Sequence, residues 1–201
     1  LLTAAFSFSA ATFAETATPT PTPNAVPTPD PKPMPAQAPV ALPSPPVIAA
    51  KAYLLMDYNS GQILIGENTE ERLPPASLTK MMTSYVIGQE LKSGRIKPTD
   101  MVTISQNAWA KNYGDSSKMF IEVGKQVSVD NLNKGIIIQS GNDACIAMAE
   151  HIAGSEDSFA SLMNQWADKL GMKDTHFMNS HGLYNPDHYS TAHDMARLGQ
   201  A

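Results

Sequence analysis

The sequence predicts an α+β architecture, an antiparallel sheet with a cluster of helices packed beside it. Three observations predict it. Two short apolar runs, Tyr53–Met56 and 63–65, flank the turn residues Asn59, Ser60 and Gly61, the pattern of a β-hairpin. From Ser77 onward apolar residues recur at helical spacing in several successive segments. Two strands followed by helices make an incomplete sheet, whose apolar face needs further strands.

The elements follow in order. After the hairpin, Pro74-Pro75 breaks the chain, and a helix opens at Ser77 with Met81, Met82, Tyr85 and Val86 at helical spacing. It stops near Ser93-Gly94, where glycine suits a helix end. Val102, Thr103 and Ile104 read as a short strand, and Ser105-Gln106-Asn107 as a helix start. Ser128 is a candidate N-cap for a helix carrying Val129, Leu132 and Ile136. Another helix runs from Asn142 to Gly154. A third places Phe159, Leu162, Met163, Trp166 and Leu170 on one face and ends at Gly171. Thr191 and Asp194 form a capping-box variant that opens a last helix through Met195 and Leu198. The sequence stops at Ala201 inside that pattern, so further strands are expected beyond it.

Ahead of this ordered part the composition differs. Residues 1–14, LLTAAFSFSAATFA, are apolar and rich in small residues, which reads as the remnant of a secretory signal peptide cleaved after Ala14. They are too short to span a bilayer. Residues 15–46 hold 12 of the 16 prolines. Proline fixes φ and removes a backbone donor, so this tract reads as an extended linker without a core. Residues 47–201 are then the globular part.

The bulk numbers narrow the partners. The 201 residues carry a net charge of −5 and 42% hydrophobic residues, with no basic block. A globular core is affordable in composition, and a nucleic-acid footprint is not expected. The single cysteine, Cys145, excludes an internal disulfide and reads as a small buried hydrophobe. His151, His176, His181, His188 and His193 form no H-E-x-x-H motif and have no cysteine cluster beside them. No metal site and no cofactor are expected. His181, within Asn179-Ser180-His181-Gly182-Leu183, reads as a structural loop residue.

Chemistry concentrates at two places. Ser77 and Lys80, three apart, share one face of a helix. At a helix start, free N–H groups and the dipole favour an oxyanion on Ser77. A lysine accepts a proton only when neutral, which burial or a neighbouring cation promotes. Lys80 could then activate Ser77. The same spacing also suits a capping serine beside a solvated lysine. The second place is Ser140-Gly141-Asn142, a polar trio between two apolar helices, read either as a site or as an Asx-type turn. Ser105-Gln106-Asn107 and Lys92-Ser93-Gly94 mimic site patterns but lie at element ends, where such residues are ordinary.

Taken together, these segments resemble the serine D-alanyl-D-alanine carboxypeptidases, penicillin-binding proteins of the five and six type. The resemblance runs through 53–61, 75–88, 140–145, 175–177 and 181–183, and covers about residues 50–201. It implies the serine β-lactamase and DD-peptidase-like transpeptidase fold, cut before its last strands. It implies Ser77 as the nucleophile that attacks between two terminal D-alanines, and Lys80 as proton acceptor. Ser140 would relay a proton to the leaving D-alanine, and Asn142 would hold the substrate amide. The implied partners are a peptidoglycan pentapeptide ending in D-Ala-D-Ala and β-lactam antibiotics. The implied place is the periplasm, with membrane attachment only through a segment C-terminal to these residues.

The family's third motif, K-T-G after the second, is not in the sequence, from which the 201 residues alone are expected to fold poorly and to be inactive. Two other readings stand beside this one. A serine β-lactamase shares the first two motifs, but its class A form has S-D-N and a deacylating glutamate. A catalytically silent penicillin-binding fold would act as a scaffold. Cys145 lies near the second motif in sequence, so thiol reagents are expected to slow acylation by crowding it.

Overall fold

The computed structural model describes residues 44–201. The proposed signal remnant at 1–14 and most of the 15–46 linker lie outside them. Val47 is fully exposed, and packing begins at Ala52 and Tyr53.

Strand β1 (Tyr53–Met56) pairs antiparallel with β2 (Ile63–Glu67), with an irregularity between Leu55 and Met56. The turn is held by the Asp57 carboxylate, which accepts from Ser60 N–H at 2.8 Å and from the Ser60 hydroxyl at 2.6 Å. A short 3-10 turn (Ala76–Leu78) leads into α1 (Thr79–Lys92). β3 (Met101–Thr103) pairs antiparallel with β4 (Gln126–Ser128), a strand without a sequence signal of its own. Four helices follow: α2 (Val129–Gln139), α3 (Asn142–Ala153), α4 (Glu156–Leu170) and α5 (Ala192–Gln200).

The caps explain the boundaries. Side-chain oxygens of Ser128, Ser155 and Thr191 accept from Asn131, Ser158 and Asp194 N–H groups, each satisfying one orphan donor of a helix start. Asp194 does not complete the expected capping box. Its carboxylate accepts instead from Asp174 N–H at 2.9 Å and the Thr175 hydroxyl at 2.8 Å, tying α5 to that loop. Ser105-Gln106-Asn107 does not start an α-helix. Ser105 Oγ accepts from Ala108 N–H at 3.1 Å, and only a 3-10 turn (Ala110–Tyr113) follows.

Two apolar clusters share α1 and α3. One gathers Ile87, Val102, Ile104, Leu132, Ile136 and Met148 around β3, α2 and α3. The other gathers Met82, Val86, Phe159, Met163, Phe177 and Leu198 around α1, α4 and α5. Cys145 is fully buried between helices. Burial pushes its thiol up to about 12. A reagent therefore reaches it only when α3 opens, and the expectation built on its nearness in sequence does not rest on an accessible thiol. Among the described residues no helix is long and apolar enough to cross a membrane.

Candidate active site

Helix α1 carries polar side chains on a buried face, which needs an explanation because buried polar groups require partners. The partners come from the chain between α4 and α5. Thr79 Oγ1 meets His188 Nε2 at 2.8 Å, Thr83 donates to the Ser180 carbonyl at 2.5 Å, and Lys80 Nζ donates to the His181 carbonyl at 2.7 Å. The same Nζ lies 3.3 Å from Ser77 Oγ. Lys80 is only 6% exposed, so it is not a solvated surface lysine. Nor is Ser77 a capping residue: neither the 3-10 turn nor α1 has a side-chain cap.

Burial lowers the Lys80 pKa from its usual value, partly offset by the nearby Cys145 thiol. Of the burial and the neighbouring cation that the sequence reading invoked, loss of solvation is the cause seen here. Nζ thus donates to two oxygens, the His181 carbonyl and Ser77 Oγ, and stands between them.

Ser77 stands on an unusual backbone. Ala76 adopts φ +48°, and Gly182 at φ +88° presses on it from the facing loop. A Cβ on residue 182 would overlap the Ala76 carbonyl. Glycine is required there both for its φ and for the close approach. The loop is fixed further by two neutral histidines, each with Nδ1 accepting a backbone N–H: Leu183 to His181 at 3.1 Å and Met178 to His188 at 3.0 Å. Burial holds both rings down to about 4. Behind them Glu156, raised by burial, accepts from Ser180 N–H and Oγ at 2.9 and 2.8 Å.

Ser140 lines the same cleft as Ser77 and Lys80, a space of about 280 Å³ that also touches Met81, Ile136 and Ile137. It ends α2 in the left-handed region at φ +54° and is not a side-chain cap of α3, whose N-cap is Gly141. Three of the four sequence-selected residues therefore meet. The fourth, Asn142, is buried. Its amide donates to Ser116 Oγ at 3.0 Å, and it is absent from the cleft lining. The next residue, Asp143, went unnoticed in the sequence. Its fully buried carboxylate accepts from Met119, Ile121 and Ala144 N–H groups at 2.8, 3.1 and 2.9 Å. Among the described residues no three His, Cys, Asp or Glu side chains gather to hold a metal.

This arrangement can be compared with known proteins. A family model for D-alanyl-D-alanine carboxypeptidases matches residues 39–201. The carboxypeptidase DacC of Escherichia coli is 57% identical over 159 residues, which is 78% of this chain and 40% of that protein. DacA of Haemophilus influenzae is 54% identical over 156 residues, again 78% of this chain and 40% of the relative. The chain thus spans about 40% of the length of these curated relatives. Among solved structures, penicillin binding protein 5 from H. influenzae superimposes with a TM-score of 0.77 at 54% identity, covering 78% of this chain and 46% of that one. A Streptomyces DD-transpeptidase variant does so with a TM-score of 0.70 at 29% identity, over 78% and 62%. The helical core, its antiparallel strands and the motif-bearing segments all fall inside the matched region, and the chain belongs to the D-alanyl-D-alanine carboxypeptidase family.

Proposed function

We propose that the protein carrying this chain is a serine D-Ala-D-Ala carboxypeptidase of peptidoglycan stem peptides, with Ser77 as its nucleophile. The observation that carries the reading is the buried Lys80 amine, set between Ser77 Oγ and the His181 carbonyl. As Ser77 Oγ bonds to the carbonyl carbon between the two D-alanines, its proton passes to Lys80 Nζ. The backbone N–H of Ser77 faces the developing oxyanion, a contact of a kind that contributes about 10² to 10³ in rate. The C–N bond then breaks, and the departing amine of D-alanine takes a proton through Ser140. Water cleaves the resulting ester and frees Ser77. Asn142 holds the acyl-side amide once substrate draws it from Ser116. β-Lactams, which present a strained amide in place of the D-Ala-D-Ala bond, acylate the same oxygen.

The reading extends to place and organisation. Residues 1–14 direct export, residues 15–46 act as a spacer, and the enzyme works in the periplasm at the outer face of the inner membrane. Composition supports the first two assignments, through an apolar small-residue run and a proline-dense tract. The test is release of D-alanine from a pentapeptide ending in D-Ala-D-Ala by the full-length protein. Ser77→Ala should abolish release. Undiminished release by that variant would remove Ser77 from the mechanism.

A further inference from the structure

The Ser180–His181 backbone is gripped from two sides. From α1, Thr83 and Lys80 donate to its two successive carbonyls at 2.5 and 2.7 Å. From α4, one oxygen of the Glu156 carboxylate does the holding. It accepts from Ser180 N–H at 2.9 Å and from Ser180 Oγ at 2.8 Å, and it lies 3.4 Å from His181 Nε2. His181 Nδ1 accepts from Leu183 N–H, so the proton of the neutral ring sits on Nε2 and faces that oxygen. Ser180 is fully buried, so its N–H and hydroxyl have no water to turn to if the carboxylate is lost.

Helix α4 does not need this carboxylate for itself. Ser155 caps it, and the exposed Asp157 already supplies a negative charge to its first turn. Burial raises the Glu156 pKa, a cost that a solvent-facing side chain would not carry. Glu156 is also absent from the lining of the cleft that holds Ser77, Lys80 and Ser140. It borders a separate recess with Asn107, Tyr113 and Glu150. Its contacts lead to the site through Ser180 and His181, to Lys80.

We propose that Glu156 is a positioning residue for the proton acceptor: it holds the Ser180–His181 backbone against α1, so that the His181 carbonyl keeps Lys80 Nζ within reach of Ser77 Oγ. This rests on the carboxypeptidase reading and adds to it a residue on α4, outside the cleft, that acts only through the loop.

The experiment uses the full-length protein as wild type, Glu156→Gln, Glu156→Ala and Asp157→Ala. Intact mass gives the rate of penicillin acylation at each pH, and thermal melting is followed in parallel. Glu156→Ala should slow acylation about tenfold or more, toward the hundredfold of a 1 Å misplacement. It should also move the midpoint of the acylation–pH curve upward, because a carbonyl that drifts from Lys80 lets water back to the amine. Glu156→Gln keeps an oxygen for the two Ser180 donors and should acylate within about twofold of wild type, at the same midpoint. Asp157→Ala, which takes away only a helix-end charge, should change neither. A Glu156→Ala protein with the wild-type midpoint overturns the inference, even if it melts lower and acylates more slowly, since a purely structural residue would give that result. So does a Glu156→Gln protein as slow as Glu156→Ala, which would make the charge rather than the hold the active feature. If Glu156→Ala does not fold, Ser180→Ala removes the hydroxyl contact alone. Its midpoint should rise by less, and an unmoved midpoint there overturns the inference. A well-folded wild type with no adduct takes down the carboxypeptidase reading, and this inference with it.

Discussion

At the residue scale the proposed chemistry turns on how burial makes a lysine easier to deprotonate. Lys80 is buried, its pKa is lowered by loss of solvation, and its one strong partner is a neutral carbonyl, that of His181. A carbonyl orients the amine without the charge-stabilising effect a carboxylate would have. Acylation should therefore rise with pH and level off below the usual lysine value, measurable as the rate of penicillin adduct formation against pH. Lys80→Arg keeps the cation but cannot supply a free base, so it should lose acylation at every pH. Gly182 is as constrained as the lysine. Gly182→Ala should displace the Ala76 carbonyl and with it Ser77, and lower acylation by about a hundredfold, the scale of a 1 Å misplacement. Ser77, Lys80 and Ser140, which line one cleft, could be picked out in the sequence because reactive residue types stood at helical spacing or at a polar break between apolar runs. The His181 carbonyl, Gly182 and Asp143 were not. Each acts through the backbone or through a contact distant in sequence, where side-chain pattern carries no signal.

At the scale of elements, the segment from 176 to 191 works as a clamp on α1. His188 and His181 hold it as neutral rings titrating near 4, against 6.5 in an unfolded chain. Above pH 6.5 neither state is protonated and their full contribution is present. As pH falls from 6.5 toward 4, the unfolded chain takes up protons that the folded chain refuses, so stability drops. Glu156, raised by burial, contributes with the opposite sign. Denaturant unfolding at pH 7 and pH 5 should show a loss of stability, and His188→Gln should show a shallower one. Helix starts form a second test. Ser155→Ala removes the acceptor for Ser158 N–H and should cost about 1 kcal/mol without altering acylation. The helices and the first hairpin were readable from periodicity, glycine ends and cap residues. Strand β4 was not, because three residues with one apolar side chain carry no period, and its pairing with β3 is set by tertiary packing.

On the scale of the whole molecule, the two apolar clusters meet along α1 and α3, and the cleft opens where the start of α1 faces the end of α2. Ser77, Lys80 and Ser140, the proposed nucleophile, base and relay, thus stand on different elements locked by one shared core. The order of segments in the sequence carried the family resemblance, but not this division of labour, since no motif states which helix faces which. The account's central claim is that Ser77, activated by Lys80, forms an acyl-enzyme. Intact mass after exposure to penicillin, measured on the full-length protein and its Ser77→Ala variant, tests it most directly. The account predicts a single adduct on the wild type, slowly lost and missing from the variant. A well-folded wild type with no adduct, or an adduct that persists in Ser77→Ala, would contradict it.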